Sequence, residues 1–169
     1  MWTFRRKGSL DSFRLRLAEE DSTGTLGRVT GARLKTTRGM IELALYPREA
    51  PLTVRNFVRL AERGYFHRLR WHRVVPYFVI QDGDPLGTGS GGPGYAIRCE
   101  YNRMRYDTGA LGMALSGKDT GGSQYFLTQA PQPHLDGRYT IFGHVVRGQD
   151  VVDRVRRGDW IESIEILRR

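Results

Sequence analysis

Between Ala32 and Leu167 the apolar residues of this chain recur at every second position in short runs, and only twice does the spacing switch to that of a helix. The segment 32–47 reads as a hairpin. Arg33 to Thr36 forms its first arm, Arg38-Gly39 its turn, and Met40 to Tyr46 its second arm, with Ile41, Leu43 and Leu45 on one face. Further short strands are expected at Ala110–Leu115, Gln124–Thr128, Thr140–Val146 and Ile161–Leu167, and a strand bent at Pro76 within Trp71–Asp84. One helix opens at Pro51, where a missing N–H costs nothing, carries Val54, Phe57, Val58 and Ala61 on one face, and stops at Gly64. The second spans about Asp150 to Arg157, with Val151, Val152 and Val155 inward and Gly158 as its stop. Many short strands without regular strand–helix alternation predict a mainly β fold, an antiparallel barrel capped by two helices.

The 169 residues suffice for one domain, and 39 % hydrophobic with 11 % aromatic content is that of a globular chain. Residues 1–31 read as an N-terminal extension or a linker to an upstream domain, and 32–169 as the domain proper. Phe13 to Leu17 alternates like a short strand, and Glu19 to Gly24 is a polar turn. No apolar run approaches the ~20 residues of a membrane span. Arg5, Arg6, Lys7, Asp11, Arg14 and Arg16 interrupt what would be the apolar core of an export signal, so a cytoplasmic location is expected. The single cysteine, Cys99, excludes an internal disulfide and a multi-cysteine zinc site.

A net charge of +9 raises the question of nucleic acid, but the surplus is concentrated at the front. Residues 1–38 hold nine Lys/Arg against four Asp/Glu, whereas residues 39–169 hold eighteen against fourteen. The cations are nearly all Arg, which a GC-rich genome also produces. Nucleic-acid binding is therefore not the expected main function.

Several motifs fail on context. Gly87, Gly89 and Gly92 have dinucleotide-loop spacing, but Pro93-Gly94 follows where a helix should open. Ser116-Gly117-Lys118-Asp119 lacks P-loop spacing, and Ser123 misses the nucleophile elbow. His67, His72, His134 and His144 show no paired metal spacing, so neither a metal nor a cofactor is expected. His72 should point away from Arg73 and act structurally. His134, in a Pro-His-Leu-Asp-Gly turn, is either a pocket rim or simply exposed. What remains is Arg73, Gln81 and Gln124 with Phe78, Val79, Met113, Phe126 and Leu135: an apolar hollow with one permanent cation and two amides. Such a hollow suits a small apolar group next to a backbone carbonyl.

These residues lie in segments that resemble the cyclophilin family of peptidyl-prolyl cis–trans isomerases. The family pattern F-H-R-V-I-P-x-F-x-x-Q-x-G-D is matched by Trp71 to Asp84, G-x-L-x-M-A by Gly109 to Ala114, G-S-Q-F-F by Gly122 to Phe126, and L-D-G-x-x-x-x-F-G by Leu135 to Gly143. The resemblance runs in order over about Ala32 to Leu167. It implies an eight-stranded antiparallel barrel closed by two helices, with a substrate groove on its outer face. By position, Arg73 would be the catalytic arginine. Phe78, Val79, Met113, Phe126, Leu135 and Tyr139 would form the proline pocket, and Gln81, Ala114, Leu115, Gln124 and His134 would bind the peptide. The implied partners are proline-containing peptides and unfolded proteins, whose folding the enzyme would assist as a monomer, away from membranes. A proline-binding module without turnover is the main competing reading. The chain departs from the family pattern at His134, in place of a Trp, and at Tyr139, in place of a His. Val79 replaces a Met and Leu115 an Asn. Loss of the indole N–H and its large apolar face counts against tight binding of cyclosporin.

Overall fold

The computed structural model describes residues 26–169. Eight strands are present: β1 (Val29–Thr36), β2 (Gly39–Leu45), β3 (Arg73–Val75), β4 (Val79–Asp82), β5 (Ala110–Met113), β6 (Tyr125–Thr128), β7 (Ile141–Arg147) and β8 (Ile161–Arg168). They form one sheet in the order β3-β4-β6-β5-β7-β2-β1-β8, every pair antiparallel. The sheet curls until its ends meet. Trp71 N–H donates to Asp159 O at 2.9 Å and Ile161 N–H to Leu69 O at 3.0 Å, joining the lead-in to β3 to the lead-in to β8. Such closure leaves little free sheet edge for another chain to pair with.

The helices are α1 (Pro51–Glu62) and α2 (Gln149–Arg154). Helix α1 starts as its proline predicts, but Ala50 offers no side-chain cap. Glu100 supplies it instead: its carboxylate accepts the N–H groups of Leu52 and Thr53 at 2.9 and 2.8 Å, placing a negative charge at the helix's positive end. The helix ends on Gly64, at φ +69°, with Gly64 N–H donating to Ala61 O and Tyr65 N–H to Leu60 O. Its apolar face plugs the sheet. The Phe57 ring lies 5.3 Å from Phe66, 5.5 Å from Tyr125 and 5.5 Å from Phe142, centroid to centroid, and all four are sealed from solvent.

Several boundaries differ from expectation, beginning with β1, which starts at Val29 rather than Arg33. Helix α2 ends at Arg154 rather than Arg157, because Val155 leaves the helical backbone to bury its side chain and Asp159 captures the Arg156 N–H at 2.7 Å. Strand β5 ends at Met113, and Leu115 lies in the following loop. Leu26 and Val29 pack in the core although they fall inside the expected extension. The strand expected at Phe13–Leu17 lies outside the described residues. No helix among the described residues is long and apolar enough to cross a membrane.

Candidate functional site

Antiparallel register sets the site. Arg73 pairs with Gln81, Gln81 with Phe126, Phe126 with Gly112, and Gly112 with Ile141. Residues directly opposite one another in register share a face, so this row crosses five strands on the outside of the sheet, with a register shift where it passes from β5 to β7. A second apolar cluster forms around it, apart from the main core: Val79, Tyr106, Ala110, Phe126, Leu135 and Ile141, with Phe78, Ala114 and Tyr139 partly buried against it.

The aromatic floor is held from several sides. Tyr106 stacks on Phe126 at 5.5 Å and 23°, and Tyr139 meets the same ring edge-on at 5.9 Å and 85°. A Cβ on Gly112 would overlap the Phe126 ring and the Tyr106 hydroxyl, so glycine there is what lets the ring lie down. Phe78 stacks on His134 at 5.6 Å, and the Arg73 guanidinium sits 5.4 Å from the Phe78 ring centroid.

A relay of amides aims Arg73. The Gln124 side-chain NH₂ donates to Gly91 O at 2.8 Å and Gly89 O at 3.0 Å, which turns its oxygen toward Gln81. The Gln81 NH₂ donates to that oxygen at 2.9 Å, and its own oxygen receives Arg73 Nη1 at 3.4 Å. The glycine loop that anchors the relay is shaped by Asp84. That carboxylate accepts the N–H groups of Leu86 at 2.7 Å, Thr88 at 2.9 Å and Gly89 at 2.5 Å. Burial pushes the Asp84 carboxyl up, but these backbone donors outweigh it and hold the group below its ordinary range. The amides that a phosphate loop would offer a ligand are therefore already occupied.

Above the floor is an open groove of about 600 Å³. Of the residues expected to form the site, Arg73, Phe78, Val79, Gln81, Ala114, Leu115, Phe126, Leu135 and Tyr139 line it. Gln124 lines an adjoining hollow of about 230 Å³ together with Gln81, Ala114 and Leu115. His134 touches the groove only by backing Phe78. Met113 is a correction: it pairs with Tyr125, one position off the outward row, and so faces the sealed core rather than the pocket. His72 is another. Expected on the far side from Arg73, it lines the groove, because β3 begins only at Arg73 and strand alternation does not extend back to it. Burial lowers its proton affinity, and neither ring nitrogen has a well-formed hydrogen bond among the described residues. Arg157, Val74, Thr88 and Gly89 also line the groove. Local spacing extends the second helix through Arg157, whereas the helix ends at Arg154 and frees Arg157 to reach the groove.

A family model described as "Cyclophilin type peptidyl-prolyl cis-trans isomerase/CLD" matches residues 32–167. The chain is 46 % identical over 143 residues to a peptidyl-prolyl cis-trans isomerase of Helicobacter pylori, covering 82 % of this chain and 88 % of that one. It is 48 % identical over 139 residues to peptidyl-prolyl cis-trans isomerase B of Bacillus subtilis, covering 81 % and 97 %. Among solved structures, a cyclophilin type peptidyl-prolyl cis-trans isomerase of Cryptosporidium parvum superposes with a TM-score of 0.78 at 30 % identity, covering 83 % of this chain and 99 % of that one. That protein has also been crystallised in the presence of the dipeptide Ala-Pro.

Proposed function

The chain belongs to the cyclophilin-type peptidyl-prolyl cis–trans isomerase family, and for the reaction of that family we propose that Arg73 stabilises the twisted imide while the outer apolar cluster grips the proline ring. Rotation about an X-Pro bond must break amide resonance against a barrier of ~18–20 kcal/mol, and uncatalysed exchange takes tens to hundreds of seconds. No nucleophile is needed. In the twisted state the prolyl nitrogen loses conjugation and becomes basic, so a fixed N–H donor aimed at it binds that state better than either planar isomer. A guanidinium suits this because it donates in a rigid fork and never loses its charge. Each ~1.4 kcal/mol of such preference is tenfold in rate.

The observation that carries this reading is the lateral row, which sets Arg73 and Gln81 beside the ring of Phe126. The proline ring rests on Phe126 between Val79, Leu135 and Tyr139, with Phe78 at its edge. Gln81, Gln124 and the backbone of Ala114 and Leu115 hold the flanking peptide, and His134 buttresses Phe78. Clients are proline-containing peptides and unfolded proteins, whose folding the enzyme assists as a cytoplasmic monomer. The part of the sequence ahead of Leu26 serves as an extension or link to a neighbouring domain, and Val29 to Gly31 belong to β1.

A protease-coupled assay on a proline peptide tests the reading. The chain should accelerate the slow phase, and Arg73→Lys should recover little of that activity, because a single ammonium does not reproduce the fork. Full activity in Arg73→Lys would remove the geometric basis of the assignment.

A further inference from the structure

The walls of the groove carry three basic side chains, His72, Arg73 and Arg157, and no carboxylate. The acids nearest by sequence are withdrawn from it. Asp82 is fully buried, and Asp84 is buried with its oxygens occupied by loop N–H groups. Arg73 has its role in the isomerisation. Arg157 makes no hydrogen bond or ion pair among the described residues, and nothing in that reaction requires it.

Its position is nevertheless built. Residues Arg156 to Asp159 form a tight turn, closed by Asp159 N–H donating to Arg156 O at 3.0 Å and by the Asp159 carboxylate accepting Arg156 N–H at 2.7 Å. Arg38 Nε clamps the same carboxylate at 2.7 Å. Gly158 takes the left-handed corner at φ +95°, directly after Arg157. The turn is laced to the site on both sides of Trp71: Gly158 N–H donates to Trp71 O at 3.0 Å, and Trp71 N–H donates to Asp159 O at 2.9 Å. The two residues that follow Trp71 are His72 and Arg73. The backbone bonds that close the barrel thus fix Arg157 at the end of the groove next to His72, whose imidazolium is disfavoured chiefly by burial and more weakly by the Arg157 charge, against the Asp84 charge and Gln124, which favour it.

We propose that Arg157, with His72 beside it, forms a subsite for a carboxylate side chain of the substrate, so that X-Pro bonds flanked by Asp or Glu are turned over faster than those flanked by Lys or Arg. The inference rests on the groove being the substrate site. An Arg fork pairs with a carboxylate through two parallel N–H donors, and a Lys side chain in the same place meets a like charge. The subsite is open to solvent, so the discrimination is modest and sensitive to salt.

The test uses the full chain and peptides identical except for Glu, Ala or Lys at the positions flanking the X-Pro pair. Exchange NMR gives kcat/KM for wild type, Arg157→Ala and Arg157→Glu at low and high salt. At one flanking position the Glu-to-Lys ratio should be about fivefold in wild type at low salt. It should shrink at high salt, fall close to one in Arg157→Ala, and invert in Arg157→Glu. A ratio that is the same in all three proteins, or close to one in wild type while Ala peptides are turned over, overturns the subsite alone. Failure of wild type to turn over any peptide overturns the isomerase reading of the groove along with it.

Discussion

The two faces of the sheet are built from alternate residues of the same strands, yet they do opposite things. Tyr125 points inward and is sealed against Phe57 and Trp71, whereas Phe126, the next residue, points outward and forms a floor. Met113 and Gly112 divide in the same way across β5, as do Ile80 and Gln81 across β4. The inner face excludes water by filling space, so volume is what it cannot lose. The outer face leaves about 600 Å³ open and carries its donors at the rim, so position is what it cannot lose. Period-two alternation lets one sheet supply both stability and chemistry while keeping them on separate side chains.

Substitutions that strike one face alone test that separation. Phe57→Ala should have the largest effect on stability, about 3–5 kcal/mol, as the hub of the inner aromatic cluster. The protein that remains folded should keep its kcat/KM within about twofold. Calorimetry with an activity measurement corrected for folded fraction would show it, and a large activity loss in the folded fraction would break the comparison. Phe126→Ala blurs the division, because its ring is only 5 % exposed and also supports Tyr106 and Tyr139. It should cost about 3 kcal/mol and raise KM roughly tenfold.

Asp82 gives the smallest effect and reports on the inner face through pH. Burial, with the nearby charge of Asp84, pushes its carboxyl up to about 7, and Oδ2 has no hydrogen-bond partner among the described residues. The unfolded chain releases that proton near 3.9. Below pH ~4 both states hold it, and Asp82 leaves stability unchanged. From there to about pH 7 the folded state holds a proton that the unfolded state has lost, so stability falls as pH rises and then levels off. Asp82→Asn should flatten that slope and stabilise the protein at pH 8 by roughly 2 kcal/mol. Denaturant titrations from pH 4 to 8 measure both. An unchanged slope in the variant would show that Asp82 ionises without cost.

Much of this was legible in the sequence because it depends on periodicity. The alternating runs, the Pro51 start and the Gly64 stop fixed the strand-rich outline and α1. The Trp71–Asp84 stretch supplies Arg73, Phe78, Val79 and Gln81, all of which line the groove. What could not be read depends on tertiary hydrogen bonds. Glu100 caps a helix that begins 49 residues earlier in the chain, and Asp159 pulls Arg156 out of a helix that local spacing would have continued. Met113 faces inward, and the outward position beside it is Gly112, which has no side chain to mark the phase of β5 in the sequence. His72 lies one residue ahead of β3, where strand alternation does not set the direction of its side chain.

On the proposed mechanism Arg73 acts on the twisted imide and contributes little to holding the fold. Exchange NMR on a proline peptide, with wild type and Arg73→Ala melted in the same buffer, tests it most directly. In Arg73→Ala catalysed exchange should fall about 100-fold or more while the melting temperature stays within about 2 °C, as for a surface substitution. Exchange at the wild-type rate in Arg73→Ala, or a loss of exchange that only tracks a loss of folded protein, would contradict it.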